Sequence, residues 1–335
     1  MKAMLSTQPG GPETLALADI DVASPAKGEV RIAVHAAGVN FPDTLIIRDL
    51  YQMKPPRPFA PGGEIAGVID AIGDGVHGFA VGDRVLALSG HGGFATHVNV
   101  PARNAVQIPD AMPYEDAACF IFTYGTSHHA LKDRAKIKAG ETILILGAAG
   151  GVGSAAIELA KAAGARVIAA VSSKDKAAFC REIGADETIV YPREMNRDAQ
   201  KAFSGAIKAL AGPGGINVVY DAVGGDYAEP AIRSLAWEGR FLVVGFPAGI
   251  PKIPLNLTLL KGSQIVGVFW GASVMQDPKG HAQNVAELFA LYAEGKIKPR
   301  ISAQFDLQEA PAALEMIQDR KVLGKIVLHI PQDIC

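Results

Sequence analysis

Residues 142–157 constrain this chain more than any other stretch. An apolar, β-branched run, Thr142-Ile143-Leu144-Ile145-Leu146, enters Gly147-Ala148-Ala149-Gly150-Gly151-Val152-Gly153 and leaves as the alanine-rich Ser154-Ala155-Ala156-Ile157. A strand that turns through glycines straight into a helix is the fingerprint of a dinucleotide-binding unit. Ala148 takes its first small position, Gly150 its second and Gly153 its third. The first permits the tight turn. The second lets the backbone approach a pyrophosphate, and the third lets the helix pack closely on the strand. The helix then turns its unpaired N–H groups and positive dipole end toward the phosphates.

The texture around this segment fits. From residue 142 onward strands alternate with helices: strands at 142–146, 166–171, 187–191, 217–221 and 240–245, and helices from Gly151, Lys174 and Arg197 and around Tyr227. Such alternation calls for a parallel sheet with right-handed crossovers. Ala156, Ile157 and Ala160 share one helix face, which suits packing on a sheet. Before it, residues 1 to about 121 carry short β runs at 29–37, 65–72 and 83–88, separated by glycine-rich turns. After Gly245 an irregular, proline-rich linker leads to apolar runs at 255–260 and 264–270. A helix near 284–293, a strand near 304–306, a helix near 309–319 and a strand at 325–330 follow. The fold class is α/β: a β-rich part and a doubly wound parallel sheet.

With 335 residues, 49% of them hydrophobic, the chain can build two cored domains. A net charge of −2 with interspersed signs favours neither nucleic acid nor a membrane surface. The densest basic stretch, Lys132, Arg134, Lys136 and Lys138, is broken by Asp133. The first residues lack an apolar signal core, and 142–157 is too short and glycine-rich to span a bilayer. Cys119, Cys180 and Cys335 are widely spaced and form no CxxC pair, so a reducing cytoplasm is expected.

The residue at the end of the second strand selects the dinucleotide, because an acidic side chain there bonds a ribose 2′-OH and repels a 2′-phosphate. Ser172-Ser173-Lys174-Asp175-Lys176 follows that strand. Ser172, Ser173 and Lys176 can receive a dianionic phosphate, so NADPH is the expected cofactor. Asp175 is the counter-evidence, read here as a cap on the next helix. The alternative is that these residues cap and solvate the helix and NADH is preferred.

Gly38-Val39-Asn40-Phe41-Pro42-Asp43, Pro61-Gly62-Gly63-Glu64-Ile65-Ala66-Gly67, Val81-Gly82-Asp83-Arg84-Val85, Gly92-Gly93-Phe94-Ala95 and the fingerprint occur in the order of the medium-chain dehydrogenase/reductase superfamily. The whole chain resembles it, through Gly324-Lys325-Ile326-Val327-Leu328. Asn40 with Asp43, Tyr51 and the 147–153 turn resembles the zinc-independent NADPH:quinone oxidoreductase branch. The resemblance implies a GroES-like catalytic domain (1–121, returning at 266–335) split around a Rossmann domain (122–265), with the active site in the cleft between them. It also implies a strand within 255–270 that pairs across a homodimer.

In the zinc-dependent relatives the metal uses a Cys where this chain has Asn40 and a His where it has Gly63, followed by a glutamate kept as Glu64. An amide and a glycine cannot replace a thiolate and an imidazole. The adjacent His128 and His129 point different ways on any regular element, so no metal site is expected. Without a Lewis acid, a quinone or α,β-unsaturated carbonyl is the natural hydride acceptor, since its developing oxyanion needs only hydrogen-bond donors.

Asn40 is expected to bond the carbonyl or the nicotinamide ribose, Tyr51 to donate to the oxyanion, and Asp43 to orient its neighbours. By position, the resemblance places Gly150, Gly151, Val152 and Gly153 on the pyrophosphate. It places Ser172, Ser173, Lys176 and Tyr191 about the 2′-phosphate or adenosine, and Gly245 and Phe246 at the end of the last Rossmann strand. Arg320 and Lys325 are further cofactor candidates; Phe269 and Trp270 either wall the nicotinamide or pack the dimer; His128 stands where relatives often carry tyrosine. Rival functions are an enoyl-thioester reductase and a low-turnover NADPH-binding structural or RNA-binding protein.

Overall fold

The structure, a computed structural model, describes residues 1–331; Cys335 lies outside the described residues. It divides into two compact units, Met1–Phe122 together with the segment from Pro299, and Thr123–Lys298. In the first, β1 (Lys2–Ser6) and β2 (Leu15–Asp19) pair as an antiparallel hairpin. β3 (Glu29–Val39) buries Val30, Ile32 and Val34 on alternate positions, the two-residue period of a half-buried strand. It runs into α1 (Phe41–Ile46), then β4 (Glu64–Ile72), β5 (Arg84–Leu88), β6 (His97–Pro101), β7 (Ala105–Gln107), α2 (Tyr114–Ala118) and the start of α3 (Ile121–His128).

The second unit takes the rest of α3 and a π-helical turn, His129–Arg134. It then alternates as expected: β8 (Thr142–Leu146), α4 (Gly151–Ala162), β9 (Arg166–Val171), α5 (Lys174–Glu182), β10 (Glu187–Val190), α6 (Arg197–Ala211), β11 (Ile216–Asp221), α7 (Ala228–Ile232), β12 (Leu235–Val243), α8 (Asn256–Leu259), β13 (Gln264–Gly267), α9 (Trp270–Gln276) and α10 (Pro278–Ala293). Six strands lie in the order β10-β9-β8-β11-β12-β13, all parallel. The order reverses beside β8, the crevice where such sheets bind ligands. Ile143 to Leu146 of β8 are apolar without a break because both faces of the strand are covered; all four are wholly buried.

The chain then returns to the first unit as β14 (Ile301–Asp306), α11 (Ala310–Gln318) and β15 (Lys325–His329). The seven-stranded sheet runs β14-β15-β3-β4-β5-β7, with β6 also on β3. β15 lies antiparallel to β3 with Ile326 opposite Val39, and β4 places Glu64 opposite Gly38.

Two expectations need correcting. The return to the first unit falls at Pro299, not residue 266, because β13 adds a sixth parallel strand beside β12 and Trp270 packs on Gly125 of α3. The strand expected within 255–270 is β13, whereas the run at 255–260 holds the short helix α8, with Leu255, Leu259 and Leu260 exposed. Finally, β12 ends at Val243, so Gly245 and Phe246 lie in the loop beyond it.

Candidate active site

The glycine turn divides its work differently from the fingerprint's usual assignment. Gly147, not Ala148, takes the left-handed backbone, with φ +70°, and its N–H bonds to Ala170 O. Gly153 is required by packing: a Cβ there would lie 2.7 Å from Ala148 Cα and closer still to Gly147 O. Gly150 is not. Its φ is −82°, and a Cβ would meet only Gly147 O at 3.5 Å. The missing side chain therefore leaves open space at the start of α4, as a pyrophosphate requires. Gly150 caps α4, and Ser154 N–H makes the first backbone bond to Gly150 O at 2.8 Å. The N–H groups of Gly151, Val152 and Gly153 precede it, the helix-terminal donors that hold anions. Two residues missed at the sequence level support this turn. Ser127 Oγ donates to Val152 O at 2.8 Å and bonds the Tyr220 hydroxyl at 2.9 Å. No spacing marks a lone serine on α3 for that role.

At the end of β9 the structure gathers Ser172, Ser173 and Lys176. Ser173 Oγ caps α5 by accepting from Lys176 N–H at 3.3 Å, and Lys176 Nζ reaches Ser172 Oγ at 3.4 Å. Ser173 is thus the cap, and Asp175 is an exposed residue of the first helical turn. Tyr191 sits in the core, its ring 4.7 Å from Tyr227 and 5.6 Å from Phe203. Phe246 is 49% exposed. At the end of β11, Asp221 accepts from Val223 and Gly224 N–H groups at 2.9 and 2.8 Å, and burial raises its carboxyl to about 6.

The first unit brings Asn40 and Asp43 together where β3 meets α1. Asp43 Oδ2 accepts Asn40 N–H at 2.8 Å and Oδ1 accepts Gly62 N–H at 3.2 Å. Burial raises the Asp43 carboxyl to about 6 against these two bonds. Tyr51 is half-buried against the same core, and burial followed by the charge of Asp43 raises its phenol. The Asn40 amide reaches two residues that the sequence did not place beside it. Nδ2 donates to Glu64 Oε2 at 3.0 Å, and Oδ1 accepts from Lys325 Nζ at 2.6 Å. Lys325 is therefore a buried member of this cluster rather than a cofactor contact.

A family profile described as alcohol dehydrogenase GroES-like domain matches residues 26–110, and one described as zinc-binding dehydrogenase matches residues 151–290. The chain is 39% identical to the quinone oxidoreductase-like protein 2 homolog of Nematostella vectensis over 91% of its own length and 82% of that protein's. It is 33% identical to human quinone oxidoreductase, over 98% and 97% of the two chains. The chain belongs to the quinone oxidoreductase branch of the medium-chain dehydrogenase/reductase superfamily. The Escherichia coli quinone oxidoreductase, solved in complex with NADPH, superposes on it with a TM-score of 0.89 at 30% identity, covering 98% of this chain and 100% of that one.

The zinc named for one matching profile does not suit the residues present. Asn40 and Glu64 already share a cation, the Lys325 ammonium, 3.1 Å from Glu64 Oε2. Among the described residues no three His, Cys, Asp or Glu side chains converge as ligands. His128 and His129 diverge: His128 Nε2 lies 3.3 Å from Glu287, and His129 Nδ1 lies 2.8 Å from Asp133. Burial lowers the His128 imidazole, and its Nδ1 has no partner among the described residues. Phe269 is exposed, whereas Trp270 is buried on Gly125.

Proposed function

We propose that this chain is an NADPH-dependent, metal-independent reductase of quinones or other activated α,β-unsaturated carbonyls. The observation that carries the reading is the pair of features on the parallel sheet. Gly150 leaves room for a pyrophosphate that the fold itself does not need, and Ser172, Ser173 and Lys176 supply hydroxyl and ammonium donors at the position that selects a 2′-phosphate. The NADPH held by the Escherichia coli relative supports the same choice. Bound nicotinamide supplies the hydride. The chain's own residues hold and orient: the first turn of α4 holds the pyrophosphate, and Lys176 with the two serines holds the 2′-phosphate. The Tyr51 hydroxyl serves as donor to the oxygen that becomes negative as a quinone or enone is reduced.

We extend the reading to a cytoplasmic homodimer. Support comes from the open edge of β13 and from the buried thiols of Cys119 and Cys180, neither in a disulfide. Among the described residues no helix is long and apolar enough to cross a membrane. The test is NADPH and NADH oxidation by purified protein with benzoquinone, naphthoquinone, small enones and enoyl-CoA esters, with and without chelator. NADPH-preferring turnover of quinones or enones that survives chelation is expected. A clear NADH preference, zinc-restored activity or turnover of enoyl-CoA esters alone overturns the assignment.

A further inference from the structure

The buried cluster at the end of β3 specifies more than an anchor. An asparagine amide has two N–H bonds to give and one oxygen, with two lone pairs, to accept with. Asn40 Nδ2 donates to Gly38 O at 3.2 Å and to Glu64 Oε2 at 3.0 Å. Its Oδ1 accepts from Lys325 Nζ at 2.6 Å, and the same ammonium donates to Glu64 Oε2 at 3.1 Å. Glu64 is held in turn by Phe122 N–H, which bonds Oε1 at 2.8 Å. Asn40, Glu64 and Lys325 are 7%, 0% and 4% exposed. Flipping the amide would set Nδ2 against the ammonium and Oδ1 against the carboxylate, in a buried site of low dielectric that magnifies both clashes. One orientation survives. Both N–H bonds are engaged inside the protein, so the amide has no donor to offer a substrate, and Oδ1, which also faces the Asp43 N–H in the capping box of α1, is its only acceptor.

We propose that Lys325 is a positioning residue that locks the Asn40 amide in this orientation, so that Asn40 serves the reaction as an acceptor for a hydroxyl of a bound reactant and not as a donor to the substrate carbonyl. The inference rests on the reductase reading above and narrows it: the donor to the reduced oxygen is then Tyr51, with no help from Asn40. The hydroxyl belongs either to a ribose of the dinucleotide or to the quinol formed from the substrate.

Three variants test this. Glu64→Gln/Lys325→Met removes the buried pair together, so neither charge is stranded. Asn40→Asp/Glu64→Gln keeps the ammonium and the total charge while giving position 40 acceptors only, with the new amide at position 64 supplying the N–H. Asn40→Ala is the reference. Measurements are the apo-protein Tm, NADPH Kd by fluorescence titration, KM and kcat/KM with benzoquinone, and hydrogen exchange of the Asn40 side-chain amide by NMR. Glu64→Gln/Lys325→Met is expected to melt within a few degrees of wild type, lose at least ten-fold in kcat/KM and exchange the Asn40 amide at least ten-fold faster. Asn40→Asp/Glu64→Gln is expected to recover at least ten-fold over Asn40→Ala. A loss in NADPH Kd assigns the hydroxyl to ribose; a loss confined to the quinone KM assigns it to the substrate.

The proposal falls if the acceptor-only variant is no better than Asn40→Ala, or if removing the pair changes neither turnover nor exchange. Should that pair variant not fold, the two position-40 variants decide alone. A wild type that binds no NADPH would sink the reductase reading, whereas a protected Asn40 amide would leave the positioning role standing.

Discussion

Gly150 and Gly153 are indistinguishable as letters, yet one belongs to the fold and the other to a ligand. Gly153→Ala drives a methyl into Gly147 and Ala148, an overpacking expected to cost about 3 kcal/mol in urea unfolding. Gly150→Ala meets ordinary contact; it should melt like wild type and bind NADPH at least ten-fold more weakly. Lys176→Ala should raise KM for NADPH far more than for NADH, since the 2′-phosphate is the only group that distinguishes them; steady-state kinetics with both dinucleotides checks it. Asp43 gives a pH signature. Burial holds its carboxyl at about 6 against an unfolded value of 3.8. The folded chain therefore prefers the neutral acid, and this contribution is whole below pH 4 and lost as pH rises through 6. Asp43→Asn has no such loss. Relative to wild type it should gain about 2 kcal/mol between pH 4 and pH 7 in denaturant titrations.

At the scale of elements, the open edge of β13 carries a checkable consequence. Ile265 is 39% exposed on it, beside α8 with Leu255 and Leu259 bare to solvent. For the homodimer proposed above, Ile265→Glu is expected to shift a sedimentation profile from dimer to monomer at micromolar concentration, and a wild type that sediments as a monomer removes that proposal. Elements were also where the sequence spoke most clearly. β8, β9, α4, α5 and α6 begin where the apolar runs and caps place them, because both faces of a parallel sheet must be covered and each helix start carries its own Ser, Asn or Gly cap. The sequence was silent where long-range pairing decides. The glutamate at 64 and lysine at 325 carry no local signal of partnership. Only the register of β15 on β3 and of β4 on β3 brings them beside Asn40. Within 255–270 the sequence left open which apolar run is the strand, because short apolar stretches satisfy either period; β13 takes the second.

Over the whole molecule, the proposed chemistry sets a hazard that the core answers. Quinones alkylate exposed thiolates. Cys119 and Cys180 are fully buried, and burial pushes both thiols up to about 12, so each stays protonated and unreactive. N-ethylmaleimide should leave both unlabelled in the native protein and modify both after unfolding in guanidinium, read by peptide mass spectrometry.

The sheet of the first unit is closed from its far end. β15 slots between β14 and β3, and Lys325 reaches Asn40 across 285 residues of chain. During translation, Asn40 and Glu64 leave the ribosome long before their ammonium exists. A nascent chain therefore holds a stranded carboxylate and a bare β3 margin until synthesis is nearly done. Premature termination just past the Rossmann unit would release a polypeptide able to grip nucleotide yet missing the strand that finishes its other half.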